Sequence, residues 1–136
     1  MKRNFILIFT LILMLAGCRK SDYELETGSS NIVDNGAGTG TVTWTKDKEY
    51  IIEGFVFVND GQTLTIEPGT VVRFTAGEGE NASALIVARG GRILAEGTAT
   101  EPIIFTAESD DLILSVAKEK RGLWGGLIIL GNAPIN

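Results

Sequence analysis

The chain has no histidine and only one cysteine among its 136 residues. Without histidine it lacks the commonest general base, the commonest metal ligand and every Ser-His or Cys-His pairing for nucleophilic catalysis. A lone cysteine leaves no internal disulfide framework. Basic residues are outnumbered, 12 against 17 acidic, for a net charge of −5. That balance argues against nucleic acid or anionic lipid as a charge-matched partner. Proline is scarce, at three residues, whereas glycine is plentiful, at 17. Such a composition favours turns and short strands over long helices. Long apolar runs are also lacking: the one notable run, residues 5–16, is shorter than the roughly 20 residues that a bilayer span needs.

That run nevertheless has a recognisable grammar. Lys2 and Arg3 precede it, and Leu15-Ala16-Gly17-Cys18 closes it. A basic start, a short apolar core and small residues before a cut describe a bacterial export signal. Leucine, two small residues and cysteine together resemble the lipobox of bacterial lipoproteins. The resemblance implies cleavage before Cys18, diacylglycerol on its thiol and acylation of the new amino terminus, with palmitate-type chains as the anchor. Several acyl chains hold stably where one would not, at about 0.8 kcal/mol per buried methylene. The alternatives are an ordinary signal peptide, or a short membrane helix with a chance cysteine. With residues 1–17 removed, 119 residues of net charge −7 remain, enough for one domain.

Residues 18–43 read as the lipidated cysteine and a flexible tether, because their Ser, Asn, Asp, Gly and Thr content leaves little apolar surface to bury. Arg19-Lys20-Ser21-Asp22-Tyr23-Glu24 partly resembles the charged segment that follows the lipid cysteine in surface-exported lipoproteins of the Bacteroidota. An ordinary solvated tether is the alternative. From Trp44 onward, short β-rich runs alternate with Gly, Asn or Asp turns: 50–52, 55–58, 64–66, 70–74, 85–87, 92–94, 103–105 and 127–130. Residues 110–120 hold either one helical turn or a loop.

Leu64, Leu85 and Leu127 recur at offsets of 21 and 42, as do Ile66, Val87 and Ile129, then Val72, Ile93 and Ile135. Gly69, Gly90 and Asn132 fall at the same point of each unit, where a left-handed corner suits glycine or asparagine. A strand–turn–strand unit repeating near 20 residues predicts a solenoid, specifically an all-β parallel β-helix over residues 44–136. A β-sandwich is the alternative, although it has no reason to repeat its apolar columns. Leu85 and Val87 are expected to point inward between Leu64/Ile66 and Leu127/Ile129.

Three stretches carry a family likeness. They are Leu64-Thr65-Ile66-Glu67-Pro68-Gly69-Thr70, then Ile93-Leu94-Ala95-Glu96-Gly97-Thr98-Ala99 with Glu101-Pro102-Ile103-Ile104-Phe105-Thr106, and the stretch from Trp124-Gly125-Gly126 to the end. In that order they resemble the start of the right-handed parallel β-helix domain, of pectin-lyase-like architecture, in Bacteroidota cell-surface lipoproteins. Leu123 departs from the pattern, where a polar residue is usual. The resemblance implies a fold and an address, the outer membrane or cell surface, more than an activity. It also implies a longer array of coils, so the chain reads as truncated after Asn136, with a free strand edge prone to self-association.

Enzymes of this architecture often cleave acidic polysaccharides with carboxylates that bind calcium or act as acid and base. The acids to weigh are Asp60, Glu67, Glu78, Glu80, Glu96, Glu101, Glu108, Asp110 and Asp111. Asp110 and Asp111 are adjacent and are weak calcium candidates, because they lack the spaced oxygen donors of a dedicated loop site. Arg73, Arg89 and Arg92 are candidate anion contacts or plain surface charges. Trp44 and Trp124 are candidate sugar-stacking rings, or packing residues at the first coil and at a corner. No catalytic set emerges, and the only firm site is the lipidation site, Cys18. The expectation is a non-catalytic, membrane-anchored module serving structure, adhesion or glycan binding, without a metal or other cofactor beyond the lipid. Its partners would be the membrane and an extracellular glycan or surface protein. The alternative is the amino-terminal piece of a polysaccharide lyase or hydrolase.

Overall fold

The computed structural model describes residues 28–113, 116–131 and 133; the stretch expected to be an export signal, Cys18, Asn132 and Ile135 lie outside them. Among the described residues ten strands follow one another: β1 (Ser29–Val33), β2 (Val42–Trp44), β3 (Glu49–Glu53), β4 (Phe55–Val58), β5 (Thr63–Ile66), β6 (Val71–Phe74), β7 (Ala84–Val87), β8 (Arg92–Ala95), β9 (Ile104–Ala107) and β10 (Gly126–Ile129). They form three sheets: A in the order β1-β3-β6-β9, B in the order β2-β5-β8 and C in the order β4-β7-β10. Every pairing is parallel. From β3 onward the chain visits A, C and B in turn and then begins again, each strand lying on its counterpart one coil earlier. This is a parallel β-helix.

Strand alternation builds the interior. In β4, β5, β6 and β7 every second residue is buried, which places Val56, Val58, Leu64, Ile66, Val72, Phe74, Leu85 and Val87 in one core with Trp44, Tyr50 and Ile52. These residues stack in register across coils: Ile52 under Phe74 in sheet A, Val56 under Leu85 under Leu127 in sheet C, and Val42 under Leu64 under Ile93 in sheet B. Burying one such side chain contributes roughly 1.5–3 kcal/mol. The buried hydroxyls are satisfied as well. Ser83 Oγ accepts the Gly54 N–H at 3.1 Å and meets Thr75 Oγ1 at 2.6 Å, and Thr70 Oγ1 donates to the Glu67 carbonyl at 2.8 Å.

The three corners differ in length. The corner from C to B takes four residues each time (59–62 and 88–91), while the corner from A to C takes one, then nine, then eighteen. Two constraints fix the C-to-B corner. The Gly61 N–H donates to the Gly90 carbonyl at 3.1 Å, tying successive turns together. Gly90 is left-handed, at φ +84°, and a Cβ on Gly91 would stand 2.3 Å from the Val58 carbonyl oxygen. Only glycine fits both demands.

The repeat register is a correction. An offset of 21 lays β5 of sheet B over β7 of sheet C, so Leu64 and Ile66 do not stack on Leu85 and Val87. Leu85 lies on Val56, and Val72 pairs with Tyr50 and Phe105 rather than Ile93. The offset of 42 is real: Leu127 sits on Leu85 and Ile129 on Val87. Gly69 and Gly90 are both left-handed, at φ +82° and +84°, but occupy different corners. No helix forms over the described part of 110–120.

The coils also begin before Trp44, inside the stretch expected to be tether. Strand β1 pairs along its whole length with β3, and Ile32 tucks beneath Ile52. Among the described residues sheet C has no strand below β4, and the loop after β1 takes that place. Asp34 Oδ2 accepts the Phe57 N–H at 2.9 Å, its Oδ1 accepts those of Gly36 and Gly38, and the Thr39 N–H donates to the Phe57 carbonyl at 2.7 Å. The lower edge of β4 is thereby covered by a carboxylate and a turn instead of a strand.

Candidate functional site

A concave surface beside several of the candidate acids lies at the corner from B to A. One coil advance of 22 residues, from Val42 to Leu64, brings Lys46 beside the Glu67-Pro68 turn. The longer turn of the next coil brings in Glu96 and Glu101. A groove of about 380 Å³ is lined by Thr65, Ile66, Glu67, Pro68, Leu94 and Glu96. It adjoins a hollow of about 260 Å³ bounded by Lys46, Glu67, Pro68 and Glu101. Lys46 Nζ donates to Glu101 Oε1 at 2.6 Å, and its backbone N–H reaches Glu67 Oε2 at 3.4 Å. The hydrogen bond to Glu101, and then the charge of that carboxylate, raise the Lys46 ammonium above its ordinary pKa. Both partners are exposed, so water and salt screen the pair. This corner gathers three of the nine candidate acids around an apolar floor, with Glu101 already engaged.

Asp110 and Asp111 lie elsewhere, in the loop between β9 and β10. Asp110 Oδ2 accepts the Thr106 hydroxyl at 2.6 Å and its Oδ1 the Leu112 N–H at 3.0 Å; these bonds hold its carboxyl below the usual range. Asp111 Oδ1 accepts the Ile113 N–H at 3.0 Å. Both carboxylates therefore shape the turn at Leu112, whose φ is +63°. Among the described residues no three metal-ligating side chains converge.

Arg73 is a structural clamp. It donates from Nε to Glu49 Oε1 at 2.5 Å and through a second guanidinium nitrogen to the Asp110 carbonyl, joining neighbouring coils to the loop. Arg89 and Arg92 are exposed. Both tryptophans are engaged in ring stacking. Trp44 is only 3% exposed and stacks on Tyr50 with centroids 4.7 Å apart, while half-buried Trp124 stacks on Phe74 at 4.0 Å. Trp44 is a packing residue of the first coil, and Trp124 packs one ring face against the core at a loop end. Sequence reasoning missed Lys46 and Asp34, whose roles appear only once the coil register is known.

No match to the chain was found among curated proteins or solved structures. The family model of the pectate-lyase-like beta helix domain matches residues 36–136, most of the chain and nearly all of its coils. With parallel strands stacked in three sheets over that same span, the chain belongs to the pectate-lyase-like beta-helix family.

Proposed function

We propose that the chain is a lipid-anchored, non-catalytic β-helix module on the outer membrane of a bacterium of the Bacteroidota, serving adhesion, envelope structure or glycan binding at the cell surface. The observation that carries this reading is the lipobox-like Leu15-Ala16-Gly17-Cys18 placed eleven positions before Ser29, where the first strand begins. Eleven residues span at most roughly 40 Å even fully extended. Acylation of Cys18 would thus hold the first coil close to the lipid headgroups. The non-catalytic part is supported by the work its charged groups already do. Asp110 and Asp111 hold a turn, Glu49 holds Arg73, and Glu101 holds Lys46.

Family membership favours a second reading, a piece of a polysaccharide lyase. One set of experiments separates the two. Cells producing the full chain are labelled with a fatty-acid probe, and the purified chain is assayed on pectin, alginate and other acidic glycans with and without calcium. Labelling that disappears in Cys18→Ala, with no glycan turnover, is the expected result. Equal labelling in wild type and variant would sink the anchor. Turnover abolished by Asp110→Ala or Asp111→Ala would replace the module with the lyase.

A further inference from the structure

The chain holds one Asn-Gly pair, Asn35-Gly36, and one Asp-Gly pair, Asp60-Gly61. Both have the make-up for imide formation, in which the peptide nitrogen of the second residue attacks the side-chain carbonyl carbon of the first. Glycine brings no Cβ to block that approach, and the asparagine amide is among the thermolabile side chains. The other described asparagines precede Ile32, Asp60 and Ala82. The fold treats the two pairs differently. The Gly61 N–H donates to the Gly90 carbonyl at 3.1 Å, and a Cβ on Gly90 would stand 1.8 Å from Asp60 Oδ1, so that pair is pinned against the next coil. Asn35 and Gly36 are exposed, and the Asn35 side chain has no hydrogen-bond partner among the described residues. A Cβ on Gly36 would meet nothing within 4 Å. What restrains this pair is the Gly36 N–H, which donates to Asp34 Oδ1 at 2.7 Å.

We infer that Asn35 is a site of spontaneous deamidation gated by Asp34, and that its product loosens the cover over β4. Hydroxide takes the Gly36 proton, and the freed nitrogen bonds to Asn35 Cγ. The Cγ–Nδ2 bond then breaks, and Nδ2 leaves as ammonia with a proton from water. Water opens the cyclic imide at either carbonyl, giving aspartate or isoaspartate. Asp34 restrains the first step twice. Its oxygen holds the hydrogen that must leave, and its charge opposes a second negative charge on the nitrogen. The nitrogen reacts only while this bond is open, so the rate follows the population of the locally open state.

The product undoes the gate. Hydrolysis leaves a carboxylate on the residue next to Asp34, and like charges repel. The isoaspartyl form also routes the backbone through Cβ, adding one bond of about 1.5 Å between Asp34 and Gly36. Little slack lies beyond Gly36 to absorb it. The Ala37 carbonyl accepts a Gln62 Nε2 hydrogen at 2.8 Å, and a Cβ on Gly38 would stand 2.9 Å from the Phe57 carbonyl oxygen. The Gly36 and Gly38 bonds to Asp34 Oδ1 therefore give way first, and the Thr39 N–H loosens on the Phe57 carbonyl with them.

The test ages the full chain in mild detergent and mildly alkaline buffer, with folding checked by circular dichroism. Peptide mass spectrometry reads the gain of one mass unit as NH2 becomes OH, and a protein isoaspartate methyltransferase counts the isoaspartyl product. The gain is expected at Asn35 ahead of every other described asparagine, with no isomerisation at Asp60, and Asn35→Gln should abolish it. The native chain should react roughly tenfold to a hundredfold slower than the same chain in urea, as gating by local opening requires. Asp34→Ala should bring the native rate close to the unfolded one. Should Asp34→Ala fail to fold, wild type in low urea replaces it: deamidation and Gly36 amide exchange are expected to rise in proportion. Amide exchange at Thr39 should be roughly tenfold faster in modified chains than in unmodified ones. Earlier reaction at another described asparagine, or none at Asn35 after several hundred unfolded half-lives, overturns the site. A native rate equal to the unfolded one, or unmoved by Asp34→Ala, overturns the gate, as does deamidation that stays flat in urea while Gly36 exchange rises. Equal Thr39 exchange before and after modification overturns the loosened cover.

Discussion

Asp34 does at one point what a whole strand does elsewhere. Burial pushes its carboxyl up, but the N–H groups of Phe57, Gly38 and Gly36 together outweigh that and hold it below its ordinary value of 3.8. A carboxyl depressed in the folded state adds stability above its unfolded pKa and loses it as pH falls through the folded one. Asp34→Ala is therefore expected to cost about 1–3 kcal/mol at pH 7, the range for stranding partly buried donors. The gap between wild type and variant should narrow as pH falls below 3.8 and through the lower native value, where the folded carboxyl protonates as well. Thermal melts of both chains at pH 7 and pH 3 check this. Asp34→Asn should be nearly as harmful as alanine, because an amide has one acceptor oxygen and points donors at a donor. Nothing in the sequence marks Asp34 out: it is one acid in a polar stretch until β4 is known to lie with its lower edge open.

At the scale of strands and coils, the core ladder makes a sharp contrast. Leu85 is fully buried between Val56 and Leu127, whereas Arg89, four residues later, stands in solvent. Leu85→Ala is expected to cost about 2–5 kcal/mol, and Arg89→Ala to stay within about 0.5 kcal/mol. Equal melting temperatures for the two variants would contradict the stacking. The eight runs from 50–52 to 127–130 were legible because apolar alternation and glycine turns are local properties. Their stacking was not, because it depends on corner lengths, and sheets B and C offer interchangeable patterns. Leu64-Thr65-Ile66 and Leu85-Ile86-Val87 both present two apolar inward positions, yet they belong to different sheets. Strands β1 and β2 escaped notice because Ser29, Ser30, Asn31 and Thr43 give them the texture of a linker. The acids of the B-to-A corner were on the list of candidates, but their meeting with Lys46 follows only from the 22-residue advance.

For the molecule as a whole, the decisive asymmetry lies in the corners. The turn between C and B is locked to its neighbour by the Gly61–Gly90 hydrogen bond and by the absence of room at Gly91. The turn between A and C grows from one residue to nine to eighteen while the strands it joins keep their places. Lengthening a nine-residue loop by six adds less than about 0.6 kcal/mol of closure entropy. A single residue inserted after Arg89 would instead push a side chain or an extra peptide into the Val58 carbonyl. Six Gly/Ser residues placed after Gly79, on the exposed nine-residue corner, are thus expected to leave the melting temperature nearly unchanged. One alanine after Arg89 should lower it steeply. The two edges of the prism then behave as spine and open margin. Foreign sequence such as an epitope, a protease site or a reporter peptide can be grafted along the margin coil by coil, while the spine sets the spacing at which successive grafts are displayed.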